Sequence, residues 1–180
     1  RHAIDDEHIH EQVVRRVLSL SKDLDMRQSP PVIGQQIHRL IRDLVGVDDP
    51  YHGIKQRFND MALKLYAKMR RFIIESGDPL ETAVRLAIAG NIIDFGVKSQ
   101  FHESELEETI NQCLSCEFSD GQLEVFRRAI NEAEKILYLA DNAGEIVFDR
   151  LLIEQLPIDK ITVAVKGSPV INDATMEDAI

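Results

Sequence analysis

The 180-residue sequence has little cysteine, no surplus of basic charge and no long apolar run. Two cysteines cannot build a disulfide scaffold. Lysine and arginine number 21 against 31 aspartates and glutamates, a formal net charge of −10, and no basic patch interrupts that balance. Nucleic acid is therefore not an expected partner. No apolar stretch approaches the roughly 20 residues that cross a bilayer, and no signal peptide is visible. The expectation is a soluble, cytoplasmic protein with no membrane partner. Neither an internal repeat nor a low-complexity segment is present, and nothing in the sequence speaks to oligomeric state. What is present is a 44% hydrophobic chain. That suffices for a core and fits one domain plus a second, smaller or incomplete unit. The chain opens on Arg1 rather than a methionine, so its natural N-terminus is expected to lie upstream.

The first three quarters of the chain read as helices. Ile9, Val13, Val14, Val17 and Leu18 recur at helical spacing. The prolines of "MRQSPPVIG" break the pattern, which resumes and stops at Gly46. A long amphipathic stretch then runs to Gly77, the expected C-cap. Asp78-Pro79 reads as an N-cap followed by proline at the first helical position. Further helices are expected through "LETAVRLAIAGNIIDFG", around Glu103–Leu114 and from Asp120 to Lys135.

The texture changes at residue 136. "ILYLA" is a short apolar run, "GEIVFDRLLIEQL" returns to helical spacing until Pro157, and "ITVAV" is β-branched and apolar. The last is the pattern of a parallel strand covered on both faces. A strand–helix–strand crossover implies that strands 136–140 and 161–165 run parallel. The fold class is thus α plus α/β. An all-helical domain over 1–134 precedes the first βαβ part of a Rossmann-like parallel-sheet domain over 135–180. Two strands do not complete a sheet, so further strands are expected to follow.

In open α/β sheets, ligands bind outside the carboxyl ends of the strands. One strand ends on Asp141-Asn142, and the other leads into Lys166 and then Asn172-Asp173. Two carboxylates and two carboxamides approach one place. These hard oxygen donors suit a divalent cation such as Mg²⁺ or Mn²⁺, and no His or Cys cluster nearby suggests structural zinc. Gly144 lets backbone approach a ligand, the amides opening the next helix suit a phosphate oxygen, and Lys166 suits a second. A plainer alternative stands beside this one. Asn142 can cap its helix with Glu145 as capping-box partner, and Asp173 can cap a helix beginning near Ala174.

"ADNAGEIVFD" followed by "KGSPVINDAT" resembles the paired signature of the DUF89 family, the metal-dependent damage-control phosphatases. "AGNIIDFG" at 89–96 is similar to the family's Gly-Asn-x-x-Asp segment. The motifs fall in family order, and the likeness is greatest to the short archaeal subfamily. The resemblance implies that Asp141, Asn142 and Asp173 ligate a divalent metal ion (Mn²⁺, Mg²⁺, Co²⁺ or Ni²⁺). It implies that Asn91, Asp94, Glu145 and Lys166 line the substrate pocket, where Asn172 is a further candidate. The implied reaction is hydrolysis of a small phosphorylated metabolite, with Asp141 and Asp173 as the catalytic carboxylates. A metal-activated water and Asp141 itself remain alternative nucleophiles. The Asp-x-Asp pattern of haloacid dehalogenases is not met, because position 143 is Ala. The Cys-x-x-Cys segment that the family carries near its N-terminus and its glycine-rich, lysine-bearing C-terminal part are absent, which agrees with truncation.

Asn91 and Asp94 are three apart and share a helix face. They read either as a solvated helix end closed by Gly96 or as a wall pressed against the strand ends. Cys113 and Cys116 make one Cys-x-x-Cys, half a zinc site, and read as two partly buried thiols. Two other readings remain open. One is a Rossmann-like methyltransferase or nucleotide binder, weakened by the lack of Gly-x-Gly-x-x-Gly after either strand. The other is a non-enzymatic helical interaction module.

Overall fold

The computed structural model describes residues 6–93, 103–116, 118 and 121–180. In chain order these form α1 (Glu7–Ser21), α2 (Pro30–Val45), α3 (His52–Glu75), α4 (Pro79–Ile92), α5 (Glu103–Ser115) and α6 (Gln122–Glu132). Then come β1 (Ile136–Leu139), α7 (Glu145–Ile153), a 3-10 turn at Ile158–Lys160, β2 (Ile161–Ala164) and α8 (Met176–Ala179). The helical body followed by a small α/β unit agrees with the sequence reading. None of the described helices is long and apolar enough to cross a membrane.

Local signals set most of the boundaries. Asp78 accepts a hydrogen bond from the Glu81 amide, and Pro79 opens α4, as its sequence predicts. α2 ends at Gly46, also as expected. α3 differs: its C-cap is Ser76 in extended conformation, so Gly77 is not the cap. Ser76 closes that end itself, its hydroxyl donating to the Ile73 carbonyl at 2.8 Å.

The core follows the helical period. Phe58, Ala62, Leu65, Met69 and Ile73 lie three or four residues apart on α3 and are buried together. They join Ala83, Leu86 and Ala89 of α4 and Phe148, Leu151 and Leu152 of α7 in one continuous cluster. At Gly90 α4 comes close against α7, where a Cβ would lie 2.7 Å from the Phe148 Cβ. α1 and α2 contribute no buried residue.

β1 and β2 are paired in parallel, with Ile136 opposite Ile161 and Leu139 opposite Ala164. The crossover helix α7 is tied to β1 by the Tyr138 hydroxyl, which donates to Asp149 at 2.6 Å. The expectation that the strands are covered on both faces is not met among the described residues. Val163 is 41% exposed, and Leu137 and Leu139 are 64% and 71% exposed. Ile136 and Tyr138 of β1 and Ile161 of β2 pack against the core cluster.

Candidate active site at the strand ends

Beyond the two strands the backbone continues to pair. The Ala174 amide donates to the Asp141 carbonyl at 2.7 Å, and the Ala143 amide donates to the Asn172 carbonyl at 2.8 Å. Asn142 and Asp173 thereby face each other in an antiparallel bridge, and Lys166 bridges in parallel to Thr175. The turns after β1 and β2 are thus joined directly, which places Asp141, Asn142, Asn172 and Asp173 side by side.

The cap alternative does not hold. The N-cap of α7 is Gly144, at φ 81°, ψ −50°, with no side-chain cap. Only glycine takes such a conformation readily. The Asn142 side chain instead donates to Glu145 Oε2 at 3.1 Å, outside capping geometry. Helix α8 is capped by Thr175, with Asp178 completing a capping box, so Asp173 is not a cap either. Two polar residues at the strand ends are thus left without a structural duty at a helix terminus.

A cleft of about 250 Å³ opens here, lined by Gly90, Asn91, Ile93, Asn142, Ala143, Glu145 and Asn172. Glu145 is 8% exposed and held from both sides, by the Asn91 amide at 3.0 Å and the Asn142 amide at 3.1 Å. Asn91 stands in the last turn of α4, so the helical wall does press against the strand ends. Asp94, expected beside it, lies outside the described residues. Asp141, Asp173 and Lys166 flank the cleft rather than line it. Lys166 is half-exposed, with Nζ 3.4 Å from Asp173 Oδ2.

The expected phosphate cradle is partly used up. The Gly144 amide donates to Asn59 Oδ1 at 2.7 Å, and the Ala143 amide is taken by Asn172. Those two donors are not free for an anion.

The electrostatics are uneven. Burial raises the Asp173 carboxyl, Lys166 pulls it back, and the Asp141 charge pushes it up again, leaving it above the usual carboxylate range. His38 is held below its usual value by burial, against the pull of Asp173. Just ahead of Asn172, Ile171 sits at φ 48°, an unusual conformation for a β-branched residue. Its loop is pinned by Arg42, whose Nη1 donates to the Pro169 carbonyl at 2.9 Å. Among the described residues no group of three or more His, Cys, Asp or Glu side chains is arranged to hold a metal ion. The donor set here would be two aspartates and one asparagine. With its nitrogen engaged by Glu145, Asn142 has its carbonyl oxygen to offer a cation. All three donors are hard oxygens, which fits a divalent ion that completes its sphere with water.

The whole chain, residues 1–180, matches the damage-control phosphatase ARMT1-like domain. The chain belongs to this family. It is similar to a protein named damage-control phosphatase from Archaeoglobus fulgidus, 35% identical over 97% of this chain and 62% of that one. A damage-control phosphatase from Pyrococcus horikoshii is 36% identical over 88% of this chain and 55% of that one. The crystal structure of a DUF89 family protein from Pyrococcus horikoshii matches the fold with a TM-score of 0.81 at 34% identity. That match covers 98% of this chain and 61% of the solved one. The chain therefore spans about three fifths of the length of these relatives. The motif resemblance to the damage-control phosphatases is borne out at the level of the family.

Sequence reasoning missed the layer behind the site. Lys55 is 1% exposed, its Nζ 2.9 Å from Asp49 and 3.0 Å from Asp178. Asn59, one turn on, links Gly144 to Asp178. The signal was a lysine on the apolar stripe of α3, three residues before Phe58. Asp149, 4% exposed behind β1, was also missed, and burial pushes its carboxyl up to about 7. Cys113 is buried and Cys116 exposed, both as free thiols.

Proposed function

We propose that this damage-control phosphatase family member hydrolyses phosphate monoesters of small metabolites, such as sugar phosphates, nucleotides or related damaged metabolites, with the help of a divalent cation. One observation carries the reading. Backbone bridging sets Asp141 and Asp173 on adjoining turns beside a cleft, and burial, together with the Asp141 charge, raises the Asp173 carboxyl against the pull of Lys166. A bound cation would offset that cost of burying the charge.

In this reading Asp141, Asn142 and Asp173 hold the ion, which when bound stabilises the negative charge that develops in phosphoryl transfer. Mn²⁺, Mg²⁺, Co²⁺ and Ni²⁺ all suit or tolerate such oxygen donors. Asp141 and Asp173 are the catalytic carboxylates. Glu145, oriented by Asn91 and Asn142, accepts a hydrogen bond from a substrate hydroxyl across the cleft. Asn91 and Asn172 offer amide groups to the substrate, and Lys166, at the rim, meets the phosphate charge. Asp94 joins them by its place in the family motif. The α/β unit over 135–180 is then the opening of a Rossmann-like domain that follows a helical domain over 1–134.

The test is a hydrolysis screen of the full-length protein across metabolite phosphates, with each of the four ions and with chelator. Phosphate release that needs the ion is the expected result. Release undiminished by chelation would overturn the metal part of the reading, and no release from any phosphomonoester would overturn the activity.

A further inference from the structure

Asn59 lies on α3, on neither of the turns that form the proposed site, yet its side chain reaches toward both. Its Oδ1 accepts from the Gly144 amide at 2.7 Å, and its Nδ2 donates to Asp178 Oδ1 at 2.9 Å. Gly144 ends the turn that carries Asp141 and Asn142. Asp178 in turn receives the Thr175 amide and hydroxyl, each at 2.8 Å, and Lys55 at 3.0 Å. Thr175 follows Asp173 by two residues. One carboxamide thus fastens the two turns from behind, while their own backbone bridge fastens them in front.

A carboxamide suits this place better than other side chains. It accepts with one atom and donates with the other, so each end permits one kind of partner. Gly144 is buried at φ 81°, and its amide would be left without a partner if the acceptor were removed. The turn would then rotate to find one, carrying Asn142 with it. Lys55 cannot serve the substrate, since its charge is spent on Asp49 and Asp178.

We propose that Asn59 is a positioning residue that sets the spacing and orientation of the Asp141–Asn142 and Asp173 turns, and so the affinity of the cation they hold. The inference rests on the metal reading above. Oxygen donors must be fixed to within a fraction of an ångström for a small divalent ion. A lost tie behind the turns therefore registers as lost affinity before it registers as lost fold.

The experiment titrates the full-length protein with Mn²⁺ by calorimetry, as the parent, Asn59→Ala and Asn59→Asp. Amide exchange at Gly144 is followed in the metal-free proteins. Asn59→Ala is expected to weaken Mn²⁺ binding ten-fold or more and to speed Gly144 exchange. Asn59→Asp keeps the acceptor for Gly144 but sets a carboxylate against Asp178. It is expected to keep Gly144 protected and to weaken binding by about three- to ten-fold. Should Asn59→Ala fail to fold, Asn59→Asp carries the test alone. Parent-like Mn²⁺ affinity in a folded variant overturns the positioning role while leaving the metal site standing. Absence of Mn²⁺ binding in the parent overturns the metal reading and this inference together.

Discussion

Asp173 and Asp178 lie five residues apart on the same connection, both substantially buried, and their carboxyls are shifted in opposite directions. At Asp178 burial works to raise the carboxyl, but hydrogen bonds from Thr175, Lys55 and Asn59 more than offset it and hold it low. At Asp173 burial raises the carboxyl too, and the single lysine beside it does not outweigh burial together with Asp141. The difference is not exposure but supply of donors. Where the chain needs a carboxylate for its own architecture, it surrounds it with partners. Where it leaves one short, beside a second acid and an open cleft, the proposed function puts a cation. Perturbed acids in clefts are functional-site candidates for this reason.

The contrast can be broken from its well-supplied side first. Lys55→Ala strips the counter-charge from Asp49 and Asp178 and leaves both without their buried cation. Breaking a buried pair on one side costs about 3–5 kcal/mol, and urea unfolding of the metal-free protein should show a loss of that size. A loss under about 1 kcal/mol would place Lys55 among weakly contributing surface pairs. Asp178→Asn should cost less, roughly 1.5–3 kcal/mol, because the carboxamide keeps one acceptor for the Thr175 cap but meets Lys55 without charge. Equal stability of this variant and the parent would mean that the box, not the charge, does the holding.

Asp149 sharpens the comparison as a third acid, buried and paired with a hydroxyl instead of a cation. Its folded-state value near 7 lies well above the unfolded value of about 3.9. The folded protein therefore binds the extra proton between these limits, and stability falls as pH rises from about 4 to about 7. Asp178 has the opposite sign: its contribution is present above the unfolded value and is lost as pH falls through its lowered one. Asp149→Asn should flatten the slope of metal-free stability between pH 4 and pH 7, read as melting temperature against pH. A slope unchanged by the substitution would show that another group titrates there.

The legible parts of this molecule are those that local chemistry decides. The period of Phe58, Ala62 and Leu65 announces a buried helix face, and Asp78-Pro79 announces a helix start. The change to "ILYLA" and "ITVAV" announces parallel strands, and the crossover rule aligns their ends. Asp141, Asn142 and Asp173 could be read as neighbours for that reason, and the family motifs added Asn91 and Glu145. What stayed hidden depends on distant pairing. Nothing near Asn59 in sequence says that its partners are Gly144 and Asp178, because those contacts span 85 and 119 residues. Likewise Thr175 and Asp173 are equally good caps on paper, and only the backbone bridge to Asp141 decides between them. The exposure of Leu137, Leu139 and Val163 belongs to a chain that spans about three fifths of its relatives' length, so it does not speak against a covered sheet.

The smallest expected effect is on the poorly supplied side. Asp173→Asn removes one of two crowded charges without altering shape, so metal-free stability should rise by a few tenths of a kcal/mol. A fall of about 1 kcal/mol would mean that the carboxylate was already well paired, and the contrast with Asp178 would collapse.

The central claim is that Asp173, buried beside Asp141 at the strand ends, is left short of positive charge and takes a divalent ion. It is tested most directly by melting the full-length parent and Asp173→Asn with and without Mn²⁺. The account predicts that the parent gains several degrees on saturation, by the mass action of a ligand that binds only the folded state, and that Asp173→Asn gains little at the same concentration. Equal gains in the two proteins, or none in the parent, would contradict it.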